Sequence, residues 1–126
     1  MRRFTIVLGM APTILIVDDH PTFRETARAL LEADGFEVVG EAGDGSSALD
    51  AVAELRPEVV LLDVNLPDFD GFEVSRRLAA QPDAPRVVLT SSRDRSDYGA
   101  VVGTCGALGF VPKSELSGAA IGALIG

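Results

Sequence analysis

Short apolar runs alternate along this chain with longer stretches whose apolar residues recur at helical spacing. The runs are Thr13 to Val17, Phe36 to Ala42, Val59 to Leu62, Arg86 to Leu89 and Leu108 to Val111. Each is too short for a helix and rich in Val, Ile or Leu, which predicts strands. The stretches between them predict helices. The first begins at Pro21, carries Phe23, Ala27, Leu30 and Leu31 on one face, and stops at Gly35. Gly43-Asp44-Gly45 reads as a turn into a second helix over Ser46 to Arg56, with Ala48, Val52 and Leu55 inward and Pro57 ending it. A third covers Phe72 to Ala80, with Val74 and Leu78 as core contacts. A fourth covers Asp94 to Thr104, weakened by Gly99 and Gly103 at about 1 kcal/mol each against Ala. A fifth covers Ser114 to Ile125, rich in Gly and Ala, with Glu115 as its one charge.

Five alternating strand–helix units predict an α/β fold: a doubly wound, five-stranded parallel sheet with helices on both faces. Right-handed crossovers restrict the topology. A 2-1-3-4-5 strand order puts the first and third strands side by side, with the switch point between them. The third strand, apolar throughout between Pro57 and Asp63, reads as buried on both faces. Residues 10–126 are expected to form the domain, with residues 1–9 an extension and Met10 an alternative start. Arg2 and Arg3 before an apolar run faintly resemble a signal peptide, but the run ends in Asp18-Asp19 without a small-residue cleavage site. It is also too short to span a membrane.

At 126 residues the chain is long enough for one packed core. A net charge of −8 argues against nucleic-acid binding by phosphate neutralisation. Cys105 is the one cysteine, so no internal disulfide forms, in keeping with a reducing, cytoplasmic setting. With a single His and a single Cys, no Cys/His metal cluster is available. His20 would have to serve any Ser/His/Asp set, and no nucleophile elbow lies near it; it reads as a helix-start residue. Lys113 is the only lysine.

The chemistry gathers at the carboxyl ends of the predicted strands, where open α/β sheets bind ligands. The first strand ends in Asp18 and Asp19, the third in Asp63, the fourth in Thr90, and the fifth leads to Lys113. Three carboxylates at one point repel each other. An all-oxygen site of this kind suits Mg²⁺. Lys113 adds a second positive charge and Thr90 a hydroxyl donor. Metal, ammonium and hydroxyl together can hold a phosphoryl group on Asp63.

Four segments carry a resemblance: VDDHP, LLDVNLPDFDG, VLTSS, and the lysine after GFVP. From about Thr13 to its C-terminus the chain resembles the receiver domain of bacterial two-component response regulators, which has a flavodoxin-like fold. It is closest to the subgroup that usually carries a C-terminal helix-turn-helix domain. The resemblance implies that Asp63 accepts a phosphoryl group from a histidine kinase or a histidine phosphotransfer protein. It implies that Asp18 and Asp19 hold Mg²⁺ together with Asp63 and the Asn65 carbonyl. Lys113 would pair with the acceptor and then with its phosphate. Thr90 and Phe110 would be the switch pair that changes the face binding an output protein, with homodimerisation on phosphorylation as one outcome. No enzyme activity on an external substrate, no membrane and no direct nucleic-acid contact are expected. The chain departs from the family in having Ser114 where many receivers have Pro, in its two fourth-helix glycines, and in an apolar fifth helix.

Two other readings fit less well. Phosphatases of the haloacid dehalogenase type place Asp-x-Asp after the first strand, whereas Asp63-Val64-Asn65 follows the third. A pure interaction module would have no use for the five-residue set. Gly118, Gly122 and Gly126 recur at four-residue spacing, which reads as weak helix propensity or as a close helix approach.

Overall fold

The structure is a computed structural model and describes residues 11–126. The extension over residues 1–9 and the alternative start at Met10 lie outside the described residues. Five strands form one parallel sheet: β1 (Thr13–Val17), β2 (Glu37–Ala42), β3 (Val59–Asp63), β4 (Arg86–Ser91) and β5 (Gly109–Pro112). Their order is β2-β1-β3-β4-β5, the expected doubly wound topology. The helices are α1 (Pro21–Ala33), α2 (Gly45–Leu55), α3 (Gly71–Ala79), α4 (Val101–Thr104) and α5 (Gly118–Ile125).

Because strand side chains alternate between faces, the apolar runs supply two cores at once. Ile14, Ile16, Val59, Leu61 and Val88 face α1 and α5, where Ala27, Leu31 and Ile121 meet them. Leu15, Val17, Val60, Leu62 and Leu89 face the other way, against Ala48 and Val52 of α2, Val74 and Leu78 of α3 and Val102 of α4. Two expected core residues are not there. Leu30 is 41% exposed, beside the Ala27–Leu31 stripe of its helix, and Leu55 is 42% exposed as the last residue of α2. Val39 is only half-buried, because a bulge in β2 pairs Ile14 with Val38 and Leu15 with Gly40 and leaves Val39 between them.

Two helices are shorter than their patterns predict. Over Asp94 to Thr104 there is a 3₁₀ turn (Arg95–Asp97) and then only the single turn of α4. Gly99 separates them with φ of +67°, a left-handed conformation that ends helical hydrogen bonding. Over Ser114 to Ile125 the first residues form a 3₁₀ turn at Lys113–Glu115, and α5 starts only after Ser117. Ser117 caps it, its hydroxyl accepting from the Ala120 amide at 3.0 Å. Asp34, which follows α1, reaches the same helix end and accepts from the Gly118 amide at 2.7 Å. A side chain at Gly118 would collide with Asp34, so this glycine serves a close approach within the chain.

Candidate functional site

The same local device ends both β1 and β3. Asp18 follows β1, and its amide still donates to the Ala42 carbonyl at 3.0 Å, as a strand residue would. Its Oδ1 then accepts from the His20 amide at 2.8 Å, turning the chain into α1. At the end of β3, Asp63 Oδ1 accepts from the Asn65 amide at 3.1 Å. These two turns aim two carboxylates at one spot, because β1 and β3 are neighbours. Asp63 also sits in register with Thr90 on β4, and Lys113 is the first residue past β5. Asp63 is 2% exposed, and Asp18 and Thr90 are fully buried.

Lys113 holds the pair together. Its Nζ lies 2.6 Å from Asp18 Oδ2 and 3.4 Å from Asp63 Oδ2, so the ammonium is nearer Asp18 than the expected acceptor. The Phe23 ring flanks it, with the ring centre 4.3 Å from Nζ. The two carboxylates differ in proton affinity. Burial pushes Asp63 up to about 6; the Asn65 amide and Lys113 oppose this, and the Asp18 charge adds to it. Burial also acts on Asp18, but the Lys113 ammonium and the His20 amide outweigh it and hold that carboxyl below its ordinary value. One carboxylate is thus kept charged while its neighbour is poised near neutrality.

Asp18, Asp19, His20 and Asp63 each present a donor atom, all within 4.8 Å of one another. Three carboxylates around a half-open rim fit a hard divalent cation such as Mg²⁺, with the exposed Asn65 loop beside them. His20 enters this group although the sequence placed it only at a helix start. Its Nδ1 lies 3.1 Å from Asp18 Oδ1 and 3.0 Å from Asp19 Oδ1. The Thr90 hydroxyl is buried without a hydrogen-bond partner among the described residues. A buried orphan hydroxyl is unusual, and beside Asp63 it fits an incoming phosphoryl oxygen. Site residues Asp18, Asp19, Asp63, Asn65, Thr90 and Lys113 are therefore brought to one end of the sheet. A groove lined by Arg56, Pro57, Pro85 and Arg86 among others lies at the opposite end, where β3 and β4 begin.

Phe110 is half-buried on β5 and does not stand alone. Its ring centre is 6.0 Å from that of Tyr98, which packs edge-on against Phe72 at 5.4 Å. The Tyr98 hydroxyl and Ser91 Oγ are 2.6 Å apart. Sequence reasoning passed over Tyr98, although a lone tyrosine in the polar stretch RDRSDYG is a visible signal. It also passed over Asp68, whose carboxylate accepts from the Gly45 amide at 2.7 Å and the Ser46 amide at 2.9 Å, tying the β3–α3 loop to the start of α2.

Comparison with known proteins agrees with this geometry. The family model of the response regulator receiver domain matches residues 14–122. The DNA-binding response regulator MtrA of Mycolicibacterium smegmatis is 46% identical over 88 residues, covering 70% of this chain and 38% of that protein. A protein-glutamate methylesterase/protein-glutamine glutaminase of Hahella chejuensis is 38% identical over 104 residues, covering 81% of this chain and 30% of that protein. The chain thus spans well under half the length of these two relatives. Among solved structures, the signal receiver domain of the response regulator NarL from Mycobacterium tuberculosis superposes with a TM-score of 0.78 at 35% identity, covering 92% of this chain and 98% of that one. With its fold, its strand-end carboxylates and this match over most of its length, the chain belongs to the response regulator receiver domain family of two-component systems.

Proposed function

We propose that this domain accepts a phosphoryl group on Asp63 from a phosphohistidine and uses it to change what its α4–β5–α5 face binds. The observation that carries the reading is a single ammonium shared by two buried carboxylates beside an unpartnered buried hydroxyl. An Asp63 carboxylate oxygen attacks phosphorus, the phosphorus–nitrogen bond breaks, and the donor imidazole leaves. Asp63 titrates near 6, so at neutral pH most molecules carry the nucleophilic carboxylate. Asp18, Asp19, Asp63 and the Asn65 carbonyl would hold Mg²⁺, which supplies charge neutralisation at the phosphoryl oxygens when bound. Lys113 Nζ already lies 3.4 Å from Asp63 Oδ2, so it can leave Asp18 for a phosphoryl group formed there. Thr90 then gains its missing partner, and Phe110 and Tyr98 repack behind it.

The domain acts in the cytoplasm on no external substrate, and its output is a partner or an attached module. Relatives named as DNA-binding response regulators support a transcriptional output. Mass spectrometry after incubation with Mg²⁺ and acetyl phosphate tests the acceptor. Wild type should gain one acid-labile phosphoryl group and Asp63→Asn none. Equal labelling of the two would remove Asp63 from the role.

A further inference from the structure

We infer that Arg24 is a positioning residue for the metal-holding loop. The inference rests on the reading of Asp18 and Asp19 as cation ligands. Arg24 lies in the first turns of α1, and its Nη1 donates to the main-chain carbonyl of Asp18 at 2.6 Å. Its Nε donates to Glu41 Oε1 at 3.0 Å. Glu41 is on β2, next to Ala42, whose carbonyl accepts the Asp18 amide. Both peptide groups flanking Asp18 are therefore anchored to one strand, the amide directly and the carbonyl through Arg24 and Glu41. The Asp18 side chain hangs from that anchored backbone.

The guanidinium suits this work because its planar fork binds two acceptors in fixed directions. Its Nε is spent on Glu41, which leaves Nη1 directed at the Asp18 carbonyl. Groups that orient a metal's ligands commonly change metal affinity about 10- to 100-fold when removed. The neighbouring Arg28 supplies a control. Its Nε donates to the other oxygen of the same Glu41 at 2.8 Å, yet it has no contact with Asp18 among the described residues. Loss of Arg28 breaks the same ion-pair network and leaves the Asp18 carbonyl held.

The test is Mg²⁺ titration of thermal melting, followed by calorimetric titration of each variant well below its melting temperature. Arg24→Ala should raise the half-saturating Mg²⁺ concentration about tenfold, Arg24→Lys should recover part of the loss, and Arg28→Ala should stay within about twofold of wild type. In phosphorylation by acetyl phosphate, saturating Mg²⁺ should restore the Arg24→Ala rate to near the wild-type value. Wild-type Mg²⁺ affinity in Arg24→Ala, or an equal loss in Arg28→Ala, overturns the inference. Failure of wild type itself to bind Mg²⁺ would instead overturn the reading of the acidic site.

Discussion

Asp63 carries a burial cost that can be measured. Its pKa is raised from an ordinary 3.8 to about 6. A carboxyl with a raised folded-state value stabilises the fold fully below its unfolded value, and that contribution is lost as pH rises through the folded one. In metal-free buffer, Asp63→Asn should therefore match wild type near pH 3.8 and become more stable than it across the window up to about pH 6. The gain at neutral pH should be on the order of 3 kcal/mol. Urea melts of both proteins across that range check it, and an advantage independent of pH would show that Asp63 is not the titrating group. Thr90 makes the complementary case. Its hydroxyl is buried and unpaired, so Thr90→Val should leave the resting fold as stable as wild type or up to about 1 kcal/mol more so. The same variant should lose the response to a phosphoryl mimic, since its hydroxyl is then needed.

At the scale of elements, the strands were legible because their apolar runs are short, β-branched and bounded by turn residues, and the site was legible because its members lie at or just past the carboxyl ends of strands. Asp18, Asp63, Thr90 and Lys113 all stand where the pattern put them. What escaped was set by contacts between elements far apart in sequence. Val39 looks like a strand core residue until the register of β1 against β2 is known. Arg24 and Tyr98 look like surface residues until Asp18 and Ser91 are placed beside them. The fourth helix failed because Gly99 takes a left-handed turn that no apolar spacing reveals. Two glycines now separate propensity from packing. At Gly103 an added methyl meets open space within α4, so Gly103→Ala should stabilise by about 0.5–1 kcal/mol. At Gly71 it would collide with the Asp63 carbonyl and come within 2.8 Å of the Val64 backbone. Gly71→Ala should cost more than about 2 kcal/mol and displace Asp63 itself. Denaturant melts rank the pair, and a neutral Gly71→Ala would mean that the β3–α3 loop yields freely.

For the whole molecule, the two cores divide the response. The side holding α1 and α5 is joined across the domain by Asp34 on the start of α5. On the other side, beyond α2 and α3, the connection from β4 to β5 consists of a 3₁₀ turn and the single turn of α4, with Tyr98 packed between Phe72 and Phe110. Thinly hydrogen-bonded segments open first. Beryllofluoride, as a phosphoryl mimic, should alter amide exchange most in Ser91 to Phe110 and little in Ala27 to Arg56. Changes confined to α2 would route the signal through Asp68 and the loop it ties. Lys113 has a further consequence at this scale. It is the only lysine in the sequence, so the molecule offers acylating reagents a single side-chain amine, and that amine is the one clasped between the two carboxylates. The domain therefore carries a built-in chemical reporter: the rate at which one acetyl group lands on Lys113 reads directly whether the clasp is closed, or opened by whatever draws Asp18 and Asp63 away.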